Sequence, residues 1–108
     1  MAVVVVFRSR RTSHSDEEYA RVAQRMDDLV HAHPGFVSMT TVRDPGTREG
    51  ITVGLFEDED AVRAWRDAAE HAHARERGRQ AFYEAYEIIV ATVTRSYEWA
   101  SPDLAADE

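Results

Sequence analysis

The chain is predicted to be an α+β protein of ferredoxin-like βαββαβ order, with a four-stranded antiparallel sheet that carries its helices on one face. Two observations predict this class. Strand-like apolar runs open and close the domain, and helical spacing of apolar residues follows both the first strand and a central hairpin. With 108 residues and 44% hydrophobic content, the chain fits one domain with a small core.

The first strand and the first helix are predicted from adjacent segments. Residues 2–9 form a β-branched run, which favours a strand. The segment Ser15–Glu18 has the Ser-x-x-Glu spacing of a capping box, and apolar residues then recur at helical spacing. The helix is predicted over Asp16–His33, because the following Pro34-Gly35 cannot continue it.

A hairpin and a second helix are predicted next. Phe36–Arg43 has the composition of a strand, and Asp44-Pro45-Gly46 is a turn signal. Ile51–Phe56 then alternates in polarity and is predicted to pair with the preceding strand. The acidic segment Glu57–Asp60 suits a helix N-terminus, because its negative charge complements the helix dipole.

The last third is predicted to hold two helical pieces and a strand. Val62, Trp65 and Ala69 mark the inner stripe of the second helix, and Gly78 is expected to break or bend it. A short helical piece over Arg79–Tyr86 would follow. The last strand is predicted over Glu87–Trp99, which places the domain at residues 1–99 and leaves residues 100–108 as an acidic, disordered tail.

Composition excludes several classes of function. The formal charge of −7 argues against nucleic-acid binding, although Arg10-Arg11 and the series Arg75, Arg77, Arg79 form local basic spots that either hold a small anion or stay solvated. Cysteine is absent, so no thiolate or cysteine-bound metal is expected. The apolar run Val3–Phe7 is too short for a signal peptide or a membrane helix, which predicts a cytoplasmic protein without membrane contact.

Both faces of the predicted sheet are apolar. In the first strand Val3, Val5 and Phe7 alternate with Val4 and Val6, and the last strand repeats the pattern. Two helices cover one face only, so we expect a homodimer in which the second faces pack together, with Tyr97 and Trp99 reaching the partner. The alternative is that these β-branched residues tolerate exposure.

The candidate ligand-binding residues are aromatic rings and histidines. Trp65 either packs in the core or stacks on a flat ligand, and the same alternatives hold for Tyr83 and Tyr86, which share a face of the predicted helical piece. His71 and His73 diverge by about 200° on a helix, so they cannot both ligate one metal. Either is a surface residue, an axial heme ligand or a proton carrier, with His71 nearer the side of Trp65.

The chain resembles the antibiotic biosynthesis monooxygenase family over roughly residues 2–99. The segments that carry the resemblance are Gly35-Phe36, Phe56–Arg66, Glu70-His71, Gly78-Arg79, Tyr83, Tyr86 and Val93–Tyr97. The resemblance implies a dimeric α/β barrel with a ligand cavity in each subunit between the helices and the sheet. It also implies that Trp65 is the pocket tryptophan of the family.

The family includes oxygenases of aromatic polyketides that use no metal or flavin, and monooxygenases in which heme is both the substrate and the oxygen activator. The heme-degrading members also use a first-strand asparagine and a helical histidine about ten residues after the tryptophan. This chain has no asparagine, and Arg75 stands at the position of that histidine.

The resemblance therefore implies a small monooxygenase that acts on a flat aromatic or heme-like substrate without flavin or a dedicated metal. The expected catalytic residues are Trp65, His71 and Arg8, and the expected substrate-binding residues are Phe82, Tyr83, Tyr86 and His73. Two alternatives stay open. One is a heme-binding or small-ligand-binding protein without turnover, and the other is a structural or regulatory dimer whose pocket is filled by its own side chains.

Overall fold

A computed structural model describes residues 1–103 and confirms the α+β class with a four-stranded antiparallel sheet. The elements in chain order are β1 (Val3–Arg11), α1 (Asp16–His31), β2 (Phe36–Arg43), β3 (Glu49–Phe56), α2 (Glu59–Asp67), α3 (Ala69–Arg77), a π-helical turn (Gly78–Phe82) and β4 (Tyr83–Thr92). None of the described helices is both long and apolar enough to cross a lipid bilayer.

The strands are ordered β2-β3-β1-β4, so β2 and β4 form the two edges of the sheet. Val5 in β1 lies opposite Gly54 in β3 and Val90 in β4. Val5 also packs against the core cluster that α1 and α2 cover, and its side of the sheet is called the helix side below. Val4 and Val6 lie on the opposite side, which is called the outer face.

The core is small and lies where α1 and α2 meet β3. Val30, Phe56 and Ala61 are buried there, one from each of these elements. The loop before β2 approaches α2 so closely that a Cβ on Gly35 would lie 2.5 Å from the Cβ of Ala61. Gly35 also has a φ of +85°, so this junction requires glycine on two counts.

The outer face is apolar and open in a single chain. Val42, Ile51, Val53 and Ile89 lie on it and are each more than 40% exposed. The predicted pattern of two apolar faces is therefore confirmed. β4 is open on the helix side as well, because Ile88 lies opposite Phe7 there and is 48% exposed.

The start and end of α1 differ from the prediction. Ser15 at the N-cap has a φ of +64° and makes no side-chain capping bond, so the predicted capping box is wrong. The Ser15 hydroxyl instead lies 3.0 Å from Nδ1 of His14, and the Glu18 carboxylate accepts hydrogen bonds from Arg77. The helix ends at His31, two residues before the predicted end.

α3 ends just before Gly78, where a break or bend was predicted, but Gly78 keeps helical angles of −57° and −48° and the chain continues into the π-helical turn. A break that was not predicted lies at Ala68, where ψ is 135°. The side chain of Ala69, predicted on the inner stripe, is outside what the structure describes. The helical piece predicted over Arg79–Tyr86 is replaced by the π-helical turn, because β4 pairs with β1 from Tyr83 onward.

The last strand is shorter than predicted. β4 ends at Thr92, opposite Val3, where β1 begins, and one more backbone hydrogen bond joins Val93 N to the Ala2 oxygen at 2.9 Å. Tyr97 and Trp99 therefore lie beyond the strand and are 85% and 84% exposed. Of the predicted disordered tail over residues 100–108, residues 104–108 lie outside the described part of the chain.

Candidate functional site

The structure distributes the predicted site residues over several places. Trp65 and His71 form one contact pair. Phe82, Tyr83 and Tyr86 belong to an aromatic cluster, which Phe7 and Tyr19 complete. His73 lies on the surface of α3, and Arg8 lies on the outer face of the sheet.

The Trp65–His71 pair is a stacked arrangement of two rings. The ring centroids lie 4.6 Å apart and the planes diverge by 15°. His71 Nδ1 lies 2.9 Å from the backbone oxygen of Trp65, and a carbonyl can only accept, so Nδ1 donates this hydrogen bond. The break at Ala68 makes the pair possible, because it ends α2 three residues after Trp65 and redirects the chain before His71.

His33 provides a second imidazole beside the indole of Trp65. Its ring centroid lies 5.5 Å from that of Trp65, and its Nε2 donates to the backbone oxygen of Ala61 over 3.1 Å. The sequence marked His33 only as the end of a predicted helix. Its position before the Pro34-Gly35 turn, which leads the chain back toward α2, is the signal that would have found it.

The environment of His71 favours the neutral imidazole. Burial lowers its pKa, and the positive charge of Arg75 and the neighbouring His33 act in the same direction. The hydrogen bond to the backbone of Trp65 acts the other way. With Nδ1 protonated, the neutral ring carries its lone pair on Nε2, which suits a proton acceptor near neutral pH.

The aromatic cluster lies on the helix side, at the end of β1 that is remote from Val3. Phe7 contacts Tyr83 and Tyr86, with ring centroids 5.3 and 5.5 Å apart. Tyr19 of α1 contacts Phe82 at 5.7 Å with an interplanar angle of 73°. Such edge contacts stabilise a cluster by about 0.5–1.5 kcal/mol a pair.

A β-bulge sets the shared face of Tyr83 and Tyr86. Arg10 lies opposite Ala85 but Arg11 lies opposite Tyr83, which leaves Glu84 as the extra residue of β4. Without it, two residues three apart in a strand would point to opposite faces. The predicted proximity of Tyr83 and Tyr86 is confirmed at 6.1 Å, although a strand with a bulge replaces the predicted helix.

Tyr83 and Tyr86, two of the three phenols of this cluster, differ in their surroundings. Burial strongly raises the pKa of Tyr83, and the neighbouring phenol of Tyr19 adds to the effect, so Tyr83 stays protonated. The hydroxyl oxygen of Tyr86 accepts a hydrogen bond of 2.8 Å from Nε of Arg79. A protonated phenol can donate one hydrogen bond to an oxygen atom of a ligand.

Arg11 holds the aromatic cluster together and was not singled out by the sequence except as part of a basic spot. Only 6% of the residue is exposed. Its guanidinium donates to the backbone oxygens of Phe82 and His14 and to the Asp16 carboxylate, at 3.0–3.1 Å. It also lies 3.8 Å over the ring of Tyr19. The interpretation as a solvated charge is therefore wrong for Arg11.

Arg8 and His73 are not brought together with Trp65. Nε of Arg8 lies 3.5 Å from the Glu87 carboxylate, and both side chains are more than half exposed on the outer face. His73 lines a groove of about 320 Å³ between α1 and α3, together with Arg21, Val22, Arg25, Met26, Glu70 and Ala74. The sheet separates Arg8 from the stacked pair.

A second, open concavity of about 890 Å³ lies at the Arg10 end of the sheet and includes Arg8, Arg43, Ile51 and Tyr86 in its lining. Trp65 lines neither of these two concavities. Among residues 1–103, no group of three histidine or acidic side chains is placed to hold a metal ion.

Comparison with known proteins gives one family and many similar folds. The sequence model of the antibiotic biosynthesis monooxygenase family matches residues 1–77. The uncharacterized protein YqjZ of Bacillus subtilis is 41% identical over 91 residues, which cover 84% of this chain and 78% of YqjZ.

Two solved structures illustrate the similarity in fold. Rv0793 from Mycobacterium tuberculosis superposes with a TM-score of 0.79 at 12% identity, covering 91% of this chain and 100% of that protein. SnoaB from Streptomyces nogalater, described as a cofactor-independent oxygenase, has a TM-score of 0.73 at 20% identity, covering 88% and 95%. At these identities the similarity concerns the fold.

Proposed function

Because the chain belongs to the antibiotic biosynthesis monooxygenase family, we propose that it is a small monooxygenase that oxidises a flat aromatic substrate with O2, without flavin or a dedicated metal. The match to the family supports the class of reaction. The fold is similar to that of SnoaB, a cofactor-independent oxygenase, and this similarity supports a reaction without a cofactor.

The stacked pair of Trp65 and His71 carries this proposal. Burial lowers the pKa of His71, and its Nδ1 is fixed on the backbone of Trp65, so Nε2 is the ring nitrogen that can accept a proton. We assign His71 as the general base and Trp65 as the flat apolar wall that holds the substrate. Phe82, Tyr83 and Tyr86 would contact more distant rings of the substrate, and the phenols of Tyr83 and Tyr86 would donate hydrogen bonds to its oxygen atoms.

The reaction balances without an added reductant. His71 removes a proton from a methylene group flanked by aromatic rings, and the resulting carbanion transfers an electron to O2. The two radicals combine to a peroxide, which loses water, so that one diaryl methylene compound and one O2 give one diaryl ketone and one water molecule. The carbon loses the four electrons that O2 accepts, and the partly buried pair of Trp65 and His71 would contribute by positioning the substrate and by holding the proton.

A filled pocket is the second candidate, and one observation favours it. The imidazole of His71 already covers one face of the indole of Trp65, and Trp65 lines neither of the two concavities described above. Under this alternative the protein is a structural or regulatory dimer, and the rings serve packing alone.

We also propose that a second copy covers the outer face. Val42, Ile51, Val53 and Ile89 are exposed there in one chain, and burying a large aliphatic side chain stabilises by about 1.5–3 kcal/mol. A two-fold packing of the outer faces would bury this set in both copies at once. Tyr97 and Trp99 would then contact the partner.

Oxygen uptake tests the proposed activity. The purified protein is incubated with anthrones, with quinols, and with hemin plus a reductant, and the heme arm tests the heme-like substrates of the family. We expect uptake with an anthrone, whose methylene group lies between two aromatic rings, and a loss of at least about 100-fold in kcat for His71→Asn, because general bases contribute about 10²–10⁴-fold. Asparagine keeps a donor for the Trp65 carbonyl but cannot accept a proton.

The matched control is His14→Asn, which alters an exposed histidine before α1 and should leave uptake unchanged. A ligand that binds beside Trp65 without any oxygen uptake would support the filled or non-catalytic alternatives. Unchanged kcat in His71→Asn would remove His71 from its proposed role.

A further inference from the structure

We propose that the N-terminal half of α3 is a gate over the indole of Trp65, latched to α1 by the ion pair of Arg25 and Glu70. The other end of α3 stays anchored at the π-helical turn. The purpose of the gate, to admit a flat substrate to Trp65, rests on the proposed function. The geometry of the gate and the experiment that tests it are independent of that function.

The need for a gate follows from the stack itself. A flat ligand can reach the covered face of Trp65 only after the imidazole of His71 leaves it. His71 belongs to the first turn of α3 and is also tied to the Trp65 carbonyl by its Nδ1 hydrogen bond. Movement of this first turn would uncover the ring and break that bond in one step.

Ala68 supplies the joint about which α3 can move relative to α2. Its ψ of 135° interrupts the helix, so α2 and α3 are separate rods joined through one residue. The backbone bonds across the joint run from Ala68 N to the Trp65 oxygen and from Ala72 N to the Ala68 oxygen. Hinges are formed by a few loop or element-terminal residues that absorb a change in φ and ψ, and Ala68 lies at the ends of both helices.

The ion pair of Arg25 and Glu70 spans a groove between α1 and α3, where the two helices are not closely packed. Nε and Nη2 of Arg25 donate to the two carboxylate oxygens of Glu70 at 2.9 and 3.0 Å. Both side chains are more than half exposed. The groove of about 320 Å³ lies between α1 and α3 at this position, so the ion pair links helices whose side chains do not interlock there.

The opposite end of α3 is held more firmly. Arg77 donates to the Glu18 carboxylate at 2.6 and 2.7 Å, and only about one third of each side chain is exposed. Phe82, at the end of the π-helical turn, is buried against Tyr19. The contrast between a buried anchor and an exposed latch predicts that the N-terminal half of α3 opens first.

Amide hydrogen exchange of the ligand-free protein tests the gate. Arg25→Gln removes the latch without changing the sequence of α3, and we expect amides of residues 72–75 to exchange about 2- to 5-fold faster. Arg21→Gln is the matched control, because Arg21 lines the same groove one turn earlier but makes no ion pair with Glu70. Its α3 amides should exchange at the wild-type rate.

Charge reversal and fluorescence complete the test. The double variant Arg25→Glu with Glu70→Arg restores an ion pair and should recover the slow exchange. In a Trp99→Phe background Trp65 is the one tryptophan left, and acrylamide should quench it more strongly when Arg25→Gln is added. High salt should raise quenching in the parent and have little further effect in Arg25→Gln.

Unchanged exchange of α3 in Arg25→Gln would overturn the latch. Faster exchange with unchanged quenching of Trp65 would overturn the gate, because α3 would then fray without uncovering the indole. Neither result depends on a substrate, so failure of the gate and failure of the proposed oxygenase activity are distinguishable.

Discussion

The imidazole of His71 lies flat against the indole of Trp65, 4.6 Å between ring centroids, although the two residues belong to different helices. In one straight helix, residues six apart would point about 240° from each other. The break at Ala68 therefore creates the arrangement from which the proposed base, wall and gate all follow.

The partly buried imidazole of His71 makes the stability of the fold depend on pH. The folded pKa of His71 is lowered by burial, so below the unfolded value of about 6.5 the unfolded chain binds more protons than the folded one. The contribution of His71 to the free energy of unfolding is fully present above about pH 6.5. It is lost as the pH falls toward the lowered pKa of the folded state. Urea unfolding between pH 5 and 8 measures it.

The variant that isolates this effect is His71→Asn, which keeps a donor for the Trp65 carbonyl and does not titrate. We expect its stability to fall less than that of the parent between pH 7 and pH 5. The carboxylates Asp16, Glu18 and Glu70 have pKa values lowered by arginine partners and act at lower pH, so they do not mask the difference. Parallel pH curves for the two proteins would contradict the prediction.

Removal of the buried guanidinium should destabilise the fold. Arg11→Ala removes one of the donors to the backbone oxygens of Phe82 and His14, to which Thr12 also donates, and opens a space beside Tyr19. We expect a loss of about 2–4 kcal/mol in the free energy of unfolding, measured by chemical denaturation. Arg63→Ala, at an exposed site on α2, should change it by about 0.5 kcal/mol and serves as the control.

Gly35 is predicted to resist substitution more than any exposed turn glycine. Gly35→Ala places a Cβ against Ala61 and forces a positive φ on alanine, so we expect a loss of about 3 kcal/mol in unfolding free energy. Gly46→Ala is the matched control, since its added Cβ would meet only the Asp44 side chain, at 3.2 Å. Equal losses for the two variants would show that the close approach at Ala61 relaxes freely.

The outer face is predicted to hold two chains together. Light scattering should give the mass of two chains for the parent and of one chain for Val53→Glu, because the new carboxylate would be buried in the sheet-to-sheet contact. Ala20→Glu, at an exposed position on α1, should leave the mass unchanged. A parent protein that stays monomeric at micromolar concentration would remove the proposed dimer.

The strands and their apolar faces could be predicted from the sequence, because the pattern of apolar residues along a strand is a local signal. The alternation from Val3 to Phe7 and the hairpin around Pro45 predicted both the sheet and its two apolar faces. The capping box failed for the opposite reason. Its Glu18 is bound by Arg77, a residue 59 positions away, and no local pattern reports such a partner.

The site was harder to predict because its geometry depends on a helix break and a β-bulge, and the residue types at these positions do not indicate either of them. Alanine is the best helix former, yet the helix breaks at Ala68, whereas Gly78 keeps helical angles and α3 only changes there into the π-helical turn. Tyr83 and Tyr86 were predicted to share a face because they are three residues apart on a helix. In the structure they share a face because of a bulge in β4, and its position depends on the pairing with β1. The contacts of His33 with Trp65 and of Arg11 with Tyr19 form only in the folded chain.

β4 is an edge strand of the sheet, and this position affects the tendency of the protein to aggregate. Ile88, Ile89 and Val90 are each about half exposed, and an edge strand offers backbone donors and acceptors to any extended segment that meets it. Such a run is a template for amyloid-like stacking. If two copies pair through their outer faces as proposed, Ile89 is covered in the dimer, so heating that separates the copies should favour fibrils that bind thioflavin T.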